Sequence, residues 1–185
     1  MSRDGRLGRN GMTTTTEPVR AEAIAGDSTT PTDPMDWSEL ADRFAEAQTI
    51  WITTVSQDGR PSSRPIFSVW LDGALHFTTN PTARKAQDIA ATGACTVSVT
   101  ADEMDLVIEG VAEPVADEEL LQRIADAYVE KYGWPVTVVD GAFDAPFGAP
   151  SAGPPPYLPH VLTSQRAYAF GTTETWAPRT TRFTF

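Results

Sequence analysis

Residues Arg60 to Lys85, RPSSRPIFSVWLDGALHFTTNPTARK, set the expectation for the whole chain. Asp72-Gly73 separates two apolar runs, and that dipeptide marks a tight hairpin because both turn residues must tolerate positive φ. Two strands are therefore expected, Pro61 to Leu71 and Ala74 to Thr78. A Thr-Thr-Asn-Pro loop then delivers Arg84 and Lys85 into a helix. Pro65 lies inside the first strand, which confines that strand to a sheet edge or bulges it there. Arg60, Arg64, Arg84 and Lys85 face one acid, Asp72, in a chain whose formal net charge is −11. Cations kept together on an acidic protein point to a site for a small anion, a phosphate above all. A guanidinium offers phosphate a planar fork, an ammonium adds a compact charge, and threonine hydroxyls and helix-start amides add donors.

Upstream of the hairpin, Trp37, Leu40, Phe44 and Ala47 recur at helical spacing, and Asp36 with Glu39 forms the pattern of a capping box. Ile50 to Val55 is β-branched and aromatic, as a strand would be. Residues 1–33 hold Gly, Thr, Pro and Arg without hydrophobic periodicity and are expected to be a disordered tail. Residues 34–185 then make one domain. Downstream, Arg84 to Ala91 is a short helix ended by Gly93, and Cys95 to Thr100 and Asp105 to Pro114 are strands. Asp117 to Tyr132 is a helix capped by Asp117 and closed by Gly133, with Leu120, Leu121, Ile124 and Tyr128 on its buried side. Asp140 to Pro159, rich in Pro and Gly, is expected to be loop, either a lid or a plain surface excursion. His160 to Gly171 and Thr180 to Phe185 return to strand. The class is mainly β with flanking helices, a small β-barrel with helices at its mouth.

At 185 residues and 41% hydrophobic content the chain can bury a sizeable core. Its negative charge argues against nucleic acid or an anionic membrane as partner, since both need a broad basic face. No stretch approaches the roughly 20 apolar residues of a membrane span. The single cysteine, Cys95, lies in an apolar run and is expected to be a buried, reduced strand residue, which suits a cytoplasmic protein. No His, Cys or carboxylate pair has metal-ligand spacing, so no metal is expected.

The segments PSSRPIFSVW, FTTNPTARKAQDIA and MDLVIEGVAEPV resemble the flavin-binding core of the pyridoxamine 5′-phosphate oxidase-like family, and the resemblance extends from about Trp37 to the final TRFTF. Within it the chain looks closest to the actinobacterial branch that uses the deazaflavin coenzyme F420. The resemblance implies a split β-barrel homodimer with the cofactor at the subunit interface. It also implies hydride transfer between the reduced cofactor and an unsaturated small molecule. Carried over by position, Arg64, with Pro65 and Ile66 after it, matches the strand arginine that approaches the cofactor phosphate. Thr78 and Thr79 match the hydroxyl pair ending the next strand, and Arg84 and Lys85 the cationic pair that grips the phosphate.

Two departures set this chain apart from the oxidase itself. Val69 stands where the oxidase strand carries a lysine, and the C-terminal substrate-binding Arg and His have no counterpart. Oxidation of pyridoxamine phosphate is therefore not expected. Trp70, Trp134, Tyr157 and Trp176 are candidates for a pocket wall or for ordinary core. His76 and His160 are read as structural rather than catalytic. Three functions stay open: an F420-dependent reductase, an FMN-dependent oxidoreductase, and a non-catalytic protein that binds such a cofactor or haem.

Overall fold

The computed structural model describes residues 17–24, 32–149 and 152–185. Among these the chain runs β1 (Arg20–Ala23), α1 (Trp37–Glu46), β2 (Ile50–Val55), β3 (Pro61–Ile66), β4 (Ser68–Leu71) and β5 (Ala74–Thr79). It continues with α2 (Arg84–Thr92), β6 (Ala94–Ala101), β7 (Met104–Pro114), α3 (Glu118–Tyr132), β8 (Thr137–Val139), β9 (Ala142–Asp144), β10 (Leu158–Gly171) and β11 (Thr181–Thr184). Strands β1, β11, β10, β7, β6, β2 and β3 lie side by side in that order, with β5 joined to β10 and β4 to β5. All pairings are antiparallel and the sheet does not close, so the fold is mainly β with three helices, a split β-barrel.

Strand β10 is the spine. One of its edges follows β7 from His160 to Gly171. The other edge takes β5 at Leu158–Leu162 and β11 at Arg166–Ala169. The change of partner coincides with a register shift between Ser164 and Arg166, and a bulge of that kind bends a strand and increases its twist. Gly110 lies opposite Ser164, and a Cβ there would stand 2.2 Å from the Thr163 carbonyl oxygen. No residue with a side chain fits.

The side chains form two cores. Trp37, Leu40 and Phe44 of α1 pack on Ile50, Ile52 and Phe183 of the sheet. Leu121, Ile124 and Tyr128 of α3 pack with Trp134, Phe143 and Tyr157 on its opposite side. Each such burial is worth about 1.5–3 kcal/mol. Helix α3 begins as its sequence predicts: Asp117 accepts a hydrogen bond from the Leu120 amide at 2.8 Å, and Gly133 closes it at φ 62°. Arg123 of α3 holds Asp72 of the β4–β5 turn through two hydrogen bonds of 2.6 and 2.8 Å.

Four expectations need correction. Asp36 makes no capping hydrogen bond, and Glu39 instead pairs with Arg43 at 3.2 Å, one helical turn on. The expected strand Pro61 to Leu71 breaks at Phe67, where the chain passes from one strand partner to another. The chain leaves the edge strand β3, which carries Pro65, and re-pairs as β4 with β5. Within the expected loop from Asp140, Asp140 and Gly141 take φ of 50° and 76° and close a β8–β9 hairpin. Within the expected tail, Arg20–Ala23 pairs with β11, and Glu22 bonds Arg182 at 2.5 Å. Tail positions 1–16 and 25–31 lie outside the described residues.

His76 of β5 sits between Val69 and Val161, 2% exposed, and its Nδ1 has no partner among the described residues. Burial pushes its pKa down to about 4. The unfolded chain therefore binds this proton more readily than the folded one between pH 6.5 and 4. The stability is complete above that window and is lost as pH falls through it, by up to about 3 kcal/mol. Denaturant unfolding from pH 7 to 4 should show this decline, and His76→Leu should flatten it. An equal decline in that variant would assign the effect to other groups.

Candidate functional site

Of the four cations in the hairpin stretch, the structure neutralises two locally. Arg60 pairs with Asp58 at 3.0 Å on the exposed β2–β3 turn. Arg84 pairs with Asp88 at 3.3 Å along α2. Asp72, the stretch's own acid, is occupied by Arg123. Arg64 and Lys85 remain, and among the described residues neither has a carboxylate within ion-pair distance. The two are neighbours: burial first, and the Arg64 guanidinium second, hold the Lys85 ammonium below its ordinary value. Arg64 is exposed and donates to the Ser63 carbonyl at 2.7 Å.

Lys85 opens on a cavity of about 240 Å³. Its polar end is formed by Thr78, Thr79 and Asn80 at the close of β5, with Lys85 at the start of α2. Helix α2 has no side-chain cap and no acid in its first turn. Two cations, Arg84 and Lys85, occupy instead the end where the backbone dipole is already positive. That arrangement disfavours the helix by itself and favours an anion beside it. Pro65, Ile66 and Phe67 line the cavity from the β3–β4 break.

The other end is aromatic. Trp134 and Tyr157 pack at 5.1 Å, and Phe67 lies 6.2 Å from Trp134 and stacks on Tyr132 at 4.3 Å. Ala149 and Ala152 complete the wall on the side of the Pro-rich segment. Three bonds tie that segment down. Asn80 donates to the Pro154 carbonyl at 2.8 Å, the Trp134 indole to that of Phe147 at 3.2 Å, and the Tyr157 hydroxyl to that of Gly153 at 2.5 Å. The remaining lysine of the chain, Lys131, donates to the Ser68 carbonyl at 3.0 Å beside this wall, and burial pushes its pKa down to about 8.

Pro65, Ile66, Thr78, Thr79 and Lys85 thus converge on one cavity; Arg64 does not line it, although its charge reaches Lys85. Arg84 does not join them. Its guanidinium is drawn to Asp88 and borders a separate depression with Ser56, Gln57 and Asp58. Of the four aromatic candidates, Trp134 and Tyr157 line the cavity. Trp70 stacks on Phe44 at 6.0 Å, and Trp176 lies between Arg43 and Arg179 with its indole bonded to Glu103. His160 stacks on Phe77 at 5.4 Å, and neither histidine reaches the cavity. Cys95 is buried in β6, which pushes its thiol up to about 12. Phe67, Asn80 and Thr49 also line the cavity and were not singled out from the sequence. Asn80 had a readable signal in Thr-Thr-Asn-Pro; Phe67 becomes visible only once the strand break is known. Among the described residues no group of His, Cys, Asp and Glu could hold a metal, and no helix is long and apolar enough to cross a membrane.

Residues 37–146 match the family model described as pyridoxamine 5′-phosphate oxidase. No curated protein matches the chain. Solved structures share the fold. A conserved hypothetical protein, Rv2991 from Mycobacterium tuberculosis, is 17% identical with TM-score 0.59, covering 78% of this chain and 92% of its own. A heme-binding protein from Mycobacterium smegmatis is 16% identical with TM-score 0.60, over 77% of this chain and 57% of its own. A nimC/nimA family protein from Clostridium acetobutylicum is 12% identical with TM-score 0.58, over 82% and 95%. The chain belongs to the pyridoxamine 5′-phosphate oxidase family.

Because the chain has two lysines, their titration can be followed separately by side-chain NMR, with Lys131→Arg giving the assignment. Lys131 should titrate near pH 8 and Lys85 below 10.5. Arg64→Ala should raise the Lys85 midpoint, since one of its two causes is removed. A midpoint indifferent to Arg64 would separate these two cations.

Proposed function

We propose, from that family membership and the site's geometry, that the protein binds a ring cofactor bearing a phosphate and serves as an oxidoreductase. The deazaflavin coenzyme F420 is the cofactor in this reading. One observation carries it: Lys85 is half-buried beside Arg64, and among the described residues neither has an acid within ion-pair distance. Like charges held together at a helix start raise the energy of the empty site, and a phosphate removes that cost. Arg64 and Lys85 would hold the phosphate, Thr78 and Thr79 would donate to it, and Pro65 and Ile66 would flank it. Phe67, Trp134 and Tyr157 offer flat apolar surfaces to the ring.

When bound, the cofactor supplies hydride transfer to or from an unsaturated small molecule. The protein's part is then to anchor the anion, orient the ring and exclude water around it. This division of labour agrees with a cavity whose lining, among the described residues, holds neither histidine and no carboxylate.

A homodimer belongs to the same proposal. Trp51, half exposed, faces Pro65 across the β2–β3 ladder on the outer side of the sheet. The row continues laterally through Ser98 and Val107 to Tyr168, which stacks on Phe170 at 5.8 Å. Pro65 belongs both to this row and to the cavity lining, so a second copy on this face would complete the site at the interface. We place the protein in the cytoplasm, where its lone cysteine stays reduced.

A second reading, binding without turnover, draws on the heme-binding neighbour. Titration of purified protein with F420, FMN and haem separates the possibilities: quenching of the deazaflavin fluorescence is expected, followed by turnover with an unsaturated acceptor. Binding without turnover on any acceptor would favour the second reading. Arg64→Ala/Lys85→Ala should weaken F420 binding by on the order of 3 kcal/mol, and unchanged affinity would remove the phosphate from this position. Light scattering should give a dimer that Trp51→Glu dissociates; a monomeric wild-type protein would overturn that assignment.

A further inference from the structure

We infer that Asp88 sets the strength of the anion site by holding Arg84 away from it. This rests on the phosphate reading above and goes beyond it.

Asp88 is an expensive residue to place where it is. It lies 4% exposed, in the second turn of α2, against β2. A carboxylate there needs partners to offset its desolvation, and it has two. The Thr54 hydroxyl, itself fully buried, donates to one oxygen at 2.8 Å. The Arg84 guanidinium donates to the other at 3.3 Å. Thr54 alone would tie α2 to the sheet, and a serine or asparagine at 88 would meet it as well. The charge of Asp88 is therefore directed at Arg84.

Helix energetics do not account for the pair. An i,i+4 ion pair supports a helix best when the acid is N-terminal, with the helix dipole; here the base comes first, at the positive end. What the pair does is local. Arg84 and Lys85 are consecutive at the helix start, yet Lys85 lines the cavity and Arg84 borders the depression beside the β2–β3 turn. With Asp88 charged, Arg84 is both neutralised and turned aside. The anion then meets Arg64 and Lys85 alone. Arg84 is in this account a positioning partner held in reserve, and Asp88 the residue that lowers affinity to a level compatible with exchange of the bound molecule.

The test uses Asp88→Asn, which keeps an acceptor for Thr54 and removes the charge that holds Arg84. Wild type, Asp88→Asn, Arg84→Ala, Lys85→Ala and the Asp88→Asn/Arg84→Ala double variant are each titrated with F420 and with FMN. Ring fluorescence gives affinity, and riboflavin, which lacks the phosphate, is the control. Asp88→Asn should bind the phosphorylated rings at least threefold tighter, with a steeper loss of affinity in salt, and leave riboflavin unchanged. The double variant should lose that gain, and Arg84→Ala alone should stay within twofold of wild type. A simple structural role for Asp88 would give the opposite sign, weaker binding in Asp88→Asn, and overturn the inference. Arg84→Ala weakening binding as much as Lys85→Ala would also overturn it, because Arg84 would then be a direct ligand. That comparison decides by itself should Asp88→Asn fail to fold. Lys85→Ala binding as wild type would instead remove the anion site, and this inference with it.

Discussion

The architecture depends on one strand serving two partners along the same edge. Strand β10 gives its first residues to β5 and its later ones to β11, with β7 running along its other side throughout. The register shift at Ser164–Arg166 supplies the bend, and the absence of a side chain at Gly110 lets the two backbones approach there. Because β5 is fixed in this way, Thr78 and Thr79 end opposite Pro159 and Leu158, next to Tyr157. The cavity stands at that junction, between the core under α1 and the core under α3.

Charge is distributed on the same plan. The chain is strongly acidic, and most of its cations in the described residues find a nearby acid: Arg20, Arg43, Arg60, Arg84, Arg123, Arg166 and Arg182 all do. Surface pairs of this kind contribute little to stability. Their effect here is subtractive, because among the described residues they leave only Arg64, Lys85 and Lys131 without an acid near the cavity. Among the described residues Lys85 on the cavity wall and Arg64 near it stay unpaired, and the acidic surroundings make that contrast sharper.

Much of this was readable in the residues. Asp72-Gly73 and Gly133 announced a turn and a helix end because few other residues take positive φ there. The buried stripe of α3 followed its spacing, and the threonine pair and Lys85 did reach a common cavity. Several misses share a cause, which is that the deciding contact is distant in sequence. Arg20–Ala23 looks structureless until β11 offers it an edge. The break at Phe67 depends on which of two strands claims the chain. Arg84 and Lys85 look alike as neighbours, and only the buried Asp88–Thr54 contact, bridging α2 and β2, parts them. Asp140-Gly141 is a different kind of miss, since its signal equals that of Asp72-Gly73 and was masked by the prolines that follow.

The cavity has a floor and a roof of unequal permanence. The floor is built from secondary structure: the ends of β3 and β5 and the first turn of α2. The roof is a connecting segment held by side-chain bonds from Asn80, Trp134 and Tyr157. Exchanging residues between those anchors alters that wall of the cavity while leaving Lys85 and the threonine pair where they are. Descent with modification, or a laboratory graft, can therefore retune the shape of such a cavity without rebuilding its polar end.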